Sequence, residues 1–142
     1  MILLDILQAI LPASIVVKLL ISAYISILFL QSSLDKISDW KGNLDWLTGY
    51  FAKTFLKGQV PMLLVTVTII EFAAGACSFL GFWEILISRT ANLCLLGAEL
   101  AAMNMVMLFF GQRIAKDYNS AAAITPYFIL LILAIGLLSA NP

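Results

Sequence analysis

Four apolar runs, each close to the length of a membrane crossing, constrain this chain more than any other feature. They fall at about 14–34 (SIVVKLLISAYISILFLQSSL), 60–80 (VPMLLVTVTIIEFAAGACSFL), 89–110 (RTANLCLLGAELAAMNMVMLFF) and 123–139 (AITPYFILLILAIGLLS). A hydrocarbon core about 30 Å thick takes about 20 helical residues to cross. Lipid offers backbone amides no partner, so spanning segments must be helices or closed barrels. A barrel strand alternates polar and apolar residues, and none of these runs does. The expectation is an all-α integral membrane protein: a four-helix bundle forming one domain over 1–142. Composition agrees. Hydrophobic residues make up 63% and charged residues 11%, with mean hydropathy +1.05, whereas soluble domains carry about 25% charged residues.

The segments between the runs suit a membrane surface. Residues 35–59 (DKISDWKGNLDWLTGYFAKTFLKGQ) hold Trp40, Trp46, Tyr50, Phe51 and Phe55 beside four lysines, a mixture that favours the headgroup zone. Leu44, Leu47, Phe51 and Phe55 repeat at helical spacing, which predicts an interfacial helix between spans one and two. The opening MILLDILQAILP lacks the basic flank and cleavage site of a secretory signal and reads as a short amphipathic surface helix. Loops one and three carry Lys36, Lys41, Lys53, Lys57, Arg113 and Lys116, against Lys18 and Arg89 on the other face. The positive-inside rule puts those two loops in the cytoplasm.

Several function classes are argued against. Eight basic and eight acidic residues balance, so nothing favours a nucleic-acid partner, which calls for a basic excess. The chain has no histidine, the commonest ligand for haem, zinc and copper; no metal site is expected. Cys77 and Cys94 lie in apolar runs without a Cys-x-x-Cys spacing. They are nearly symmetric about the second hairpin, which makes them a candidate thiol pair. Met103, Met105 and Met107 read as lipid or partner contacts, since a two-residue spacing on a helix does not converge. No nucleotide, haem or metal motif marks an enzyme.

Two carboxylates inside the spans draw attention. With the turn between spans two and three centred near residue 85, Glu71 and Glu99 stand at equal depth, and Tyr24 in the first span reaches that level. An ionised carboxylate at the membrane centre costs about 2.5–3.5 kcal/mol. The expected response is for the acids to stay protonated, sharing a proton or bonding to tyrosine, serine or a carbonyl. Glu71, Glu99 and Tyr24 are thus candidates for a proton or quinone site, and equally for a polar lock on the bundle. Thr68, Glu71, Gly75 and Ser78 form one stripe of span two. Ser22, Ser26 and Ser33 form one of span one; small residues like these let helices approach closely.

SLDKISDW at the end of span one, GQVP entering span two, IIEFAAGACSFLGF within it and SRTANLCLLGAEL opening span three together resemble the DoxX-like membrane proteins of the DoxX/MauE grouping. The matching positions are Lys36, Glu71, Gly75, Gly81 and Arg89. The resemblance implies a four-helix protein of the bacterial inner membrane that begins on the cytoplasmic side, opposite to the charge count. It also implies a redox association, with the chain as an accessory subunit among other membrane subunits. Any electron carrier then comes from elsewhere, and a quinone is the small molecule nearest to hand. Lys36, Gly75, Gly81 and Arg89 take interface or structural roles in that picture. An autonomous quinone-coupled oxidoreductase, a small proton or solute transporter and a membrane assembly factor are the alternatives.

Overall fold

The computed structural model describes residues 1–140; the last two residues of the expected domain lie outside the described residues. It contains six helices and, among the described residues, no strand: α1 (Ile2–Ile10), α2 (Ala13–Ser38), α3 (Trp40–Tyr50), α4 (Val60–Ser88), α5 (Asn92–Ile114) and α6 (Tyr118–Ala140). Four of them, α2, α4, α5 and α6, are long and apolar enough to cross a membrane. The protein is an integral membrane four-helix bundle, with the short α3 between spans one and two.

Local chemistry explains the breaks. Pro12 is extended and precedes α2, since proline lacks the amide a helix interior needs. Asp39 ends α2 and starts α3, its carboxylate accepting from the Gly42 amide. Pro61 sits in the first turn of α4, where its missing N–H is harmless. At the far end Arg89 turns left-handed, with φ 63°, and stops the helix. Glu84 then caps α5: its two carboxylate oxygens accept from the Thr90 hydroxyl at 3.0 Å and the Leu93 amide at 2.8 Å. Asp117 accepts from the Ser120 amide at the start of α6.

Helix α4 packs against both α2 and α5, and α6 packs on α5. Small residues make these approaches possible. A Cβ on Gly75 would meet the Leu30 backbone of α2, and one on Gly81 would meet the Cys94 backbone of α5. The Ser22 hydroxyl donates to the Ser78 carbonyl, tying α2 to α4. Thr68, Glu71, Gly75 and Ser78 are all buried, as are Ser22, Ser26 and Ser33. Met105 is buried in the core, contrary to its expected outward placement.

The surface segments differ from expectation in detail. α1 forms and every residue of it is exposed. α3 ends at Tyr50, earlier than the Leu44–Phe55 periodicity predicts. Phe51, Leu56 and Val60 turn inward instead, as a small second core under the 51–59 connection. The spans also run past their hydropathy limits. α2 continues through Lys36 to Ser38, and α4 continues to Ser88.

Candidate functional site

The last two turns of α2 point Ser32 and Lys36 toward α4. The Lys36 ammonium lies 2.9 Å from Glu71 Oε2 and 3.2 Å from Oε1, and also donates to the Ser32 hydroxyl at 2.9 Å. From α5, the Asn104 amide donates to Glu71 Oε1 at 3.3 Å. Glu71 is 1% exposed and Asn104 fully buried, while the Lys36 side chain keeps 20% exposure. Three helices thus meet at one ion pair whose buried end is the carboxylate. A carboxylate in lipid is tolerable when a cation and hydrogen-bond donors replace its water. The arrangement expected from the sequence, one acid beside a second acid, gives way to an acid beside a lysine, because α2 brings Lys36 to Glu71.

The exposed end of that pair opens onto a cavity of about 460 Å³. It lies between α3, the first half of α4, the end of α5 and the start of α6. Leu47, Phe51, Leu63, Val67 and Met107 give it apolar walls; Lys36, Asn43, Gln112 and Ser120 give it polar points. The side-chain oxygen of Gln112 is buried without a hydrogen-bond partner. α3 covers the cavity from the membrane surface. It is held there by Tyr50, whose hydroxyl donates to Asp117 Oδ2 at 2.9 Å, and Trp46 stacks on the Tyr50 ring at 4.8 Å. Burial, then the Asp117 hydrogen bond and charge, pushes the Tyr50 phenol up to about 12. The Asp117 carboxyl is held below its usual range by hydrogen bonds from Ser120 and then Tyr50.

The polar layer expected from the sequence does not assemble. Contacts between Gly81 and Cys94, Ser78 and Gly97, and Glu71 and Asn104 set the α4–α5 register. That register centres between residues 87 and 88, not near 85. Asn104 therefore stands where Glu99 was expected. Glu99 falls level with Ala76, five residues or about 7.5 Å from Glu71, and is exposed on the outer face of α5. Tyr24 is 42% exposed on α2. Cys77 and Cys94 are free thiols, with Cys94 packed against Gly81, one turn beyond Cys77. Gly75 and Gly81 are helix-contact positions. Arg89 reaches back from the α4–α5 turn to the Ile10 carbonyl at 3.1 Å, tethering α1. Residue type and spacing do not single out Asn104, Gln112, Tyr50 or Asp117 as site residues. The lone amide of Asn104 in AAMNMVML was the available signal.

Among the described residues, no group of three or more His, Cys, Asp or Glu side chains converges to hold a metal. No known protein family, curated protein or solved structure matches this chain.

Proposed function

We propose that this chain is an accessory subunit of a redox-linked membrane complex, and that its cavity holds the head group of a quinone-class molecule. The observation that carries this reading is the Lys36 ammonium, fixed by Glu71 and Ser32 and facing an apolar cavity of about 460 Å³. Ligand pockets of about 300–1,000 Å³ with few polar groups are the usual form of small-molecule sites. Lys36 donates to a carbonyl oxygen, the unpartnered Gln112 oxygen accepts from a hydroxyl, and the leucine and phenylalanine walls take an apolar tail. Oxidised and reduced quinones present those two groups in turn. The electrons come from a partner subunit, as the resemblance to DoxX-like proteins of the bacterial inner membrane implies.

Trp46 lines the cavity, so its emission reports occupancy. In nanodiscs carrying a Trp40→Phe/Trp83→Phe chain, a short-tailed quinone is expected to quench Trp46 saturably. Gln112→Leu and Lys36→Met each weaken this, the latter by at least about tenfold, the worth of one charge-assisted hydrogen bond. Leu63→Phe, which fills the cavity, blocks it. Quenching that never saturates, or that survives Leu63→Phe unchanged, overturns the proposal.

A further inference from the structure

Glu99 has no role in the cavity, and its surroundings pose a separate problem. It is the eighth residue of α5, about 10 Å along the helix from its end, too deep for so short a side chain to reach the headgroups. It is exposed, and among the described residues it makes no hydrogen bond or ion pair. The outward faces of α4 and α6 are what lipid demands: Met62, Val65, Ile69 and Phe72 on one, Ile129 and Leu133 on the other. Among the described residues, α2 and α6 expose phenols at such depths, Tyr24 and Tyr127, but only α5 exposes a carboxyl there. Its neighbours at steps of three and four, Leu96, Met103, Val106 and Phe110, are all exposed as well, from 43% to 53%. Steps of four and three repeat every 3.5 residues on average, the period of a left-handed helix–helix seam.

We infer that this face of α5 is a self-association surface, in which Glu99 bonds to the Glu99 of a second copy of this chain. Two copies inserted the same way are related by a two-fold axis along the membrane normal, which sets α5 parallel to its equivalent. Symmetry then places the two carboxyls at equal depth and face to face. A protonated carboxyl both donates and accepts, so the pair satisfies itself without a basic group from either copy. The apolar residues above and below pack as the seam. Intramembrane polar groups commonly hold helices together in this way.

The test uses the full chain in lipid vesicles, with donor- and acceptor-labelled copies mixed over a range of protein-to-lipid ratios. Wild type is expected to show energy transfer that titrates as a dimer. Glu99→Leu weakens the association by about five- to thirtyfold, the range measured for interhelical hydrogen bonds in model helices. Glu99→Gln retains it, because an amide also donates and accepts. Met103→Cys cross-links copies under mild oxidation beyond the level given by the native thiols, whereas Ile132→Cys on α6 does not. A wild type that stays monomeric at every ratio, as it would if a basic side chain of another protein covers Glu99, overturns the inference. So does a Glu99→Leu dimer as tight as wild type, or linking through Ile132→Cys but not Met103→Cys.

Discussion

Replacing Lys36 by methionine isolates the element on which the site depends. The side chain keeps its length and apolar stem, and only the ammonium goes. Glu71, 1% exposed, is left with the Asn104 amide as its one donor. At the 2.9 Å separation of the pair and an effective dielectric of about 20, the lost attraction is about 6 kcal/mol. The desolvation that opposes burying both charges offsets much of this. Measured losses on removing one partner of a buried pair are about 3–5 kcal/mol. Because Lys36 keeps 20% exposure, screening favours the lower end, about 3 kcal/mol. Glu71→Gln alone is milder, about 1–2 kcal/mol, since Lys36 still has Ser32 and the cavity for its charge. The double variant buries no unpaired charge and keeps the Asn104 contact, so it is expected within about 1 kcal/mol of wild type. Subtracting the double-variant effect from the sum of the single effects puts the coupling between the two positions at about 3–5 kcal/mol. Unfolding by SDS titration in mixed micelles, followed by far-UV circular dichroism, measures all four corners of the cycle. Single variants whose effects simply add, to within about 0.5 kcal/mol, would show that Lys36 does not neutralise Glu71.

Three other expectations test separate joints. Gly81→Ala pushes a methyl into the Cys94 backbone and should destabilise by about 1–3 kcal/mol, whereas Gly136→Ala, with open space around it, should be neutral or slightly stabilising; thermal denaturation in detergent compares them. Glu84→Ala removes the side chain that accepts from the Leu93 amide and should cost about 1 kcal/mol, with faster amide exchange confined to the first turn of α5. The Tyr50–Asp117 tether should hold across a wide pH range. Tyr50 is raised to about 12, so its contribution is complete below the ordinary tyrosine value near 10 and fades as pH climbs through about 12. Asp117 is lowered, so its share is present above the ordinary aspartate value and is lost as pH falls through the lowered one. Ultraviolet titration of wild type against Tyr50→Phe should assign the latest-ionising phenol to Tyr50, and a Tyr50 signal near 10 would remove the tether.

The four spans were legible because lipid leaves apolar sequence few other options, and runs of 17 to 22 residues announce themselves. Their ends were not. Hydropathy falls at Asp35 and at Glu84, yet α2 and α4 continue to Ser38 and Ser88, since polar residues near the headgroups are as helical as any. Two consequences followed. The hydropathy limit counts Lys36 with loop one, although SLDKISDW closes span one and Lys36 is the last-turn cation of α2, and it centres the α4–α5 turn about two residues early. A shift that small changes which residue of α5 meets Glu71, because successive helix positions differ by about 100°. Depth can be inferred from spacing, but direction cannot, and direction is what separates Asn104 from Glu99. The cavity was invisible for a related reason. Tyr50, Gln112 and Asp117 read as interfacial or loop residues, and only the fold brings them to the walls of one cavity with Lys36.

The two glutamates now have different physical meanings, although composition and depth made them look alike. Glu71 sits where α2, α4 and α5 converge, and the chain supplies its cation and its donor. Its charge is balanced as soon as the chain folds, so its surroundings can be tuned to a ligand at the exposed end of Lys36. Glu99 sits on a face that the chain leaves bare. Nothing within the described residues balances it, and the membrane cannot. A carboxyl that lipid disfavours must gain a proton or a neighbour, and once protonated it both donates and accepts, so a carboxyl of the same kind at the same depth can pair with it. The inward acid therefore answers to the fold of one chain, while the outward acid gives two chains a reason to meet. Mutating the first should damage stability and cavity occupancy together; mutating the second should leave both intact and change only how many copies travel together.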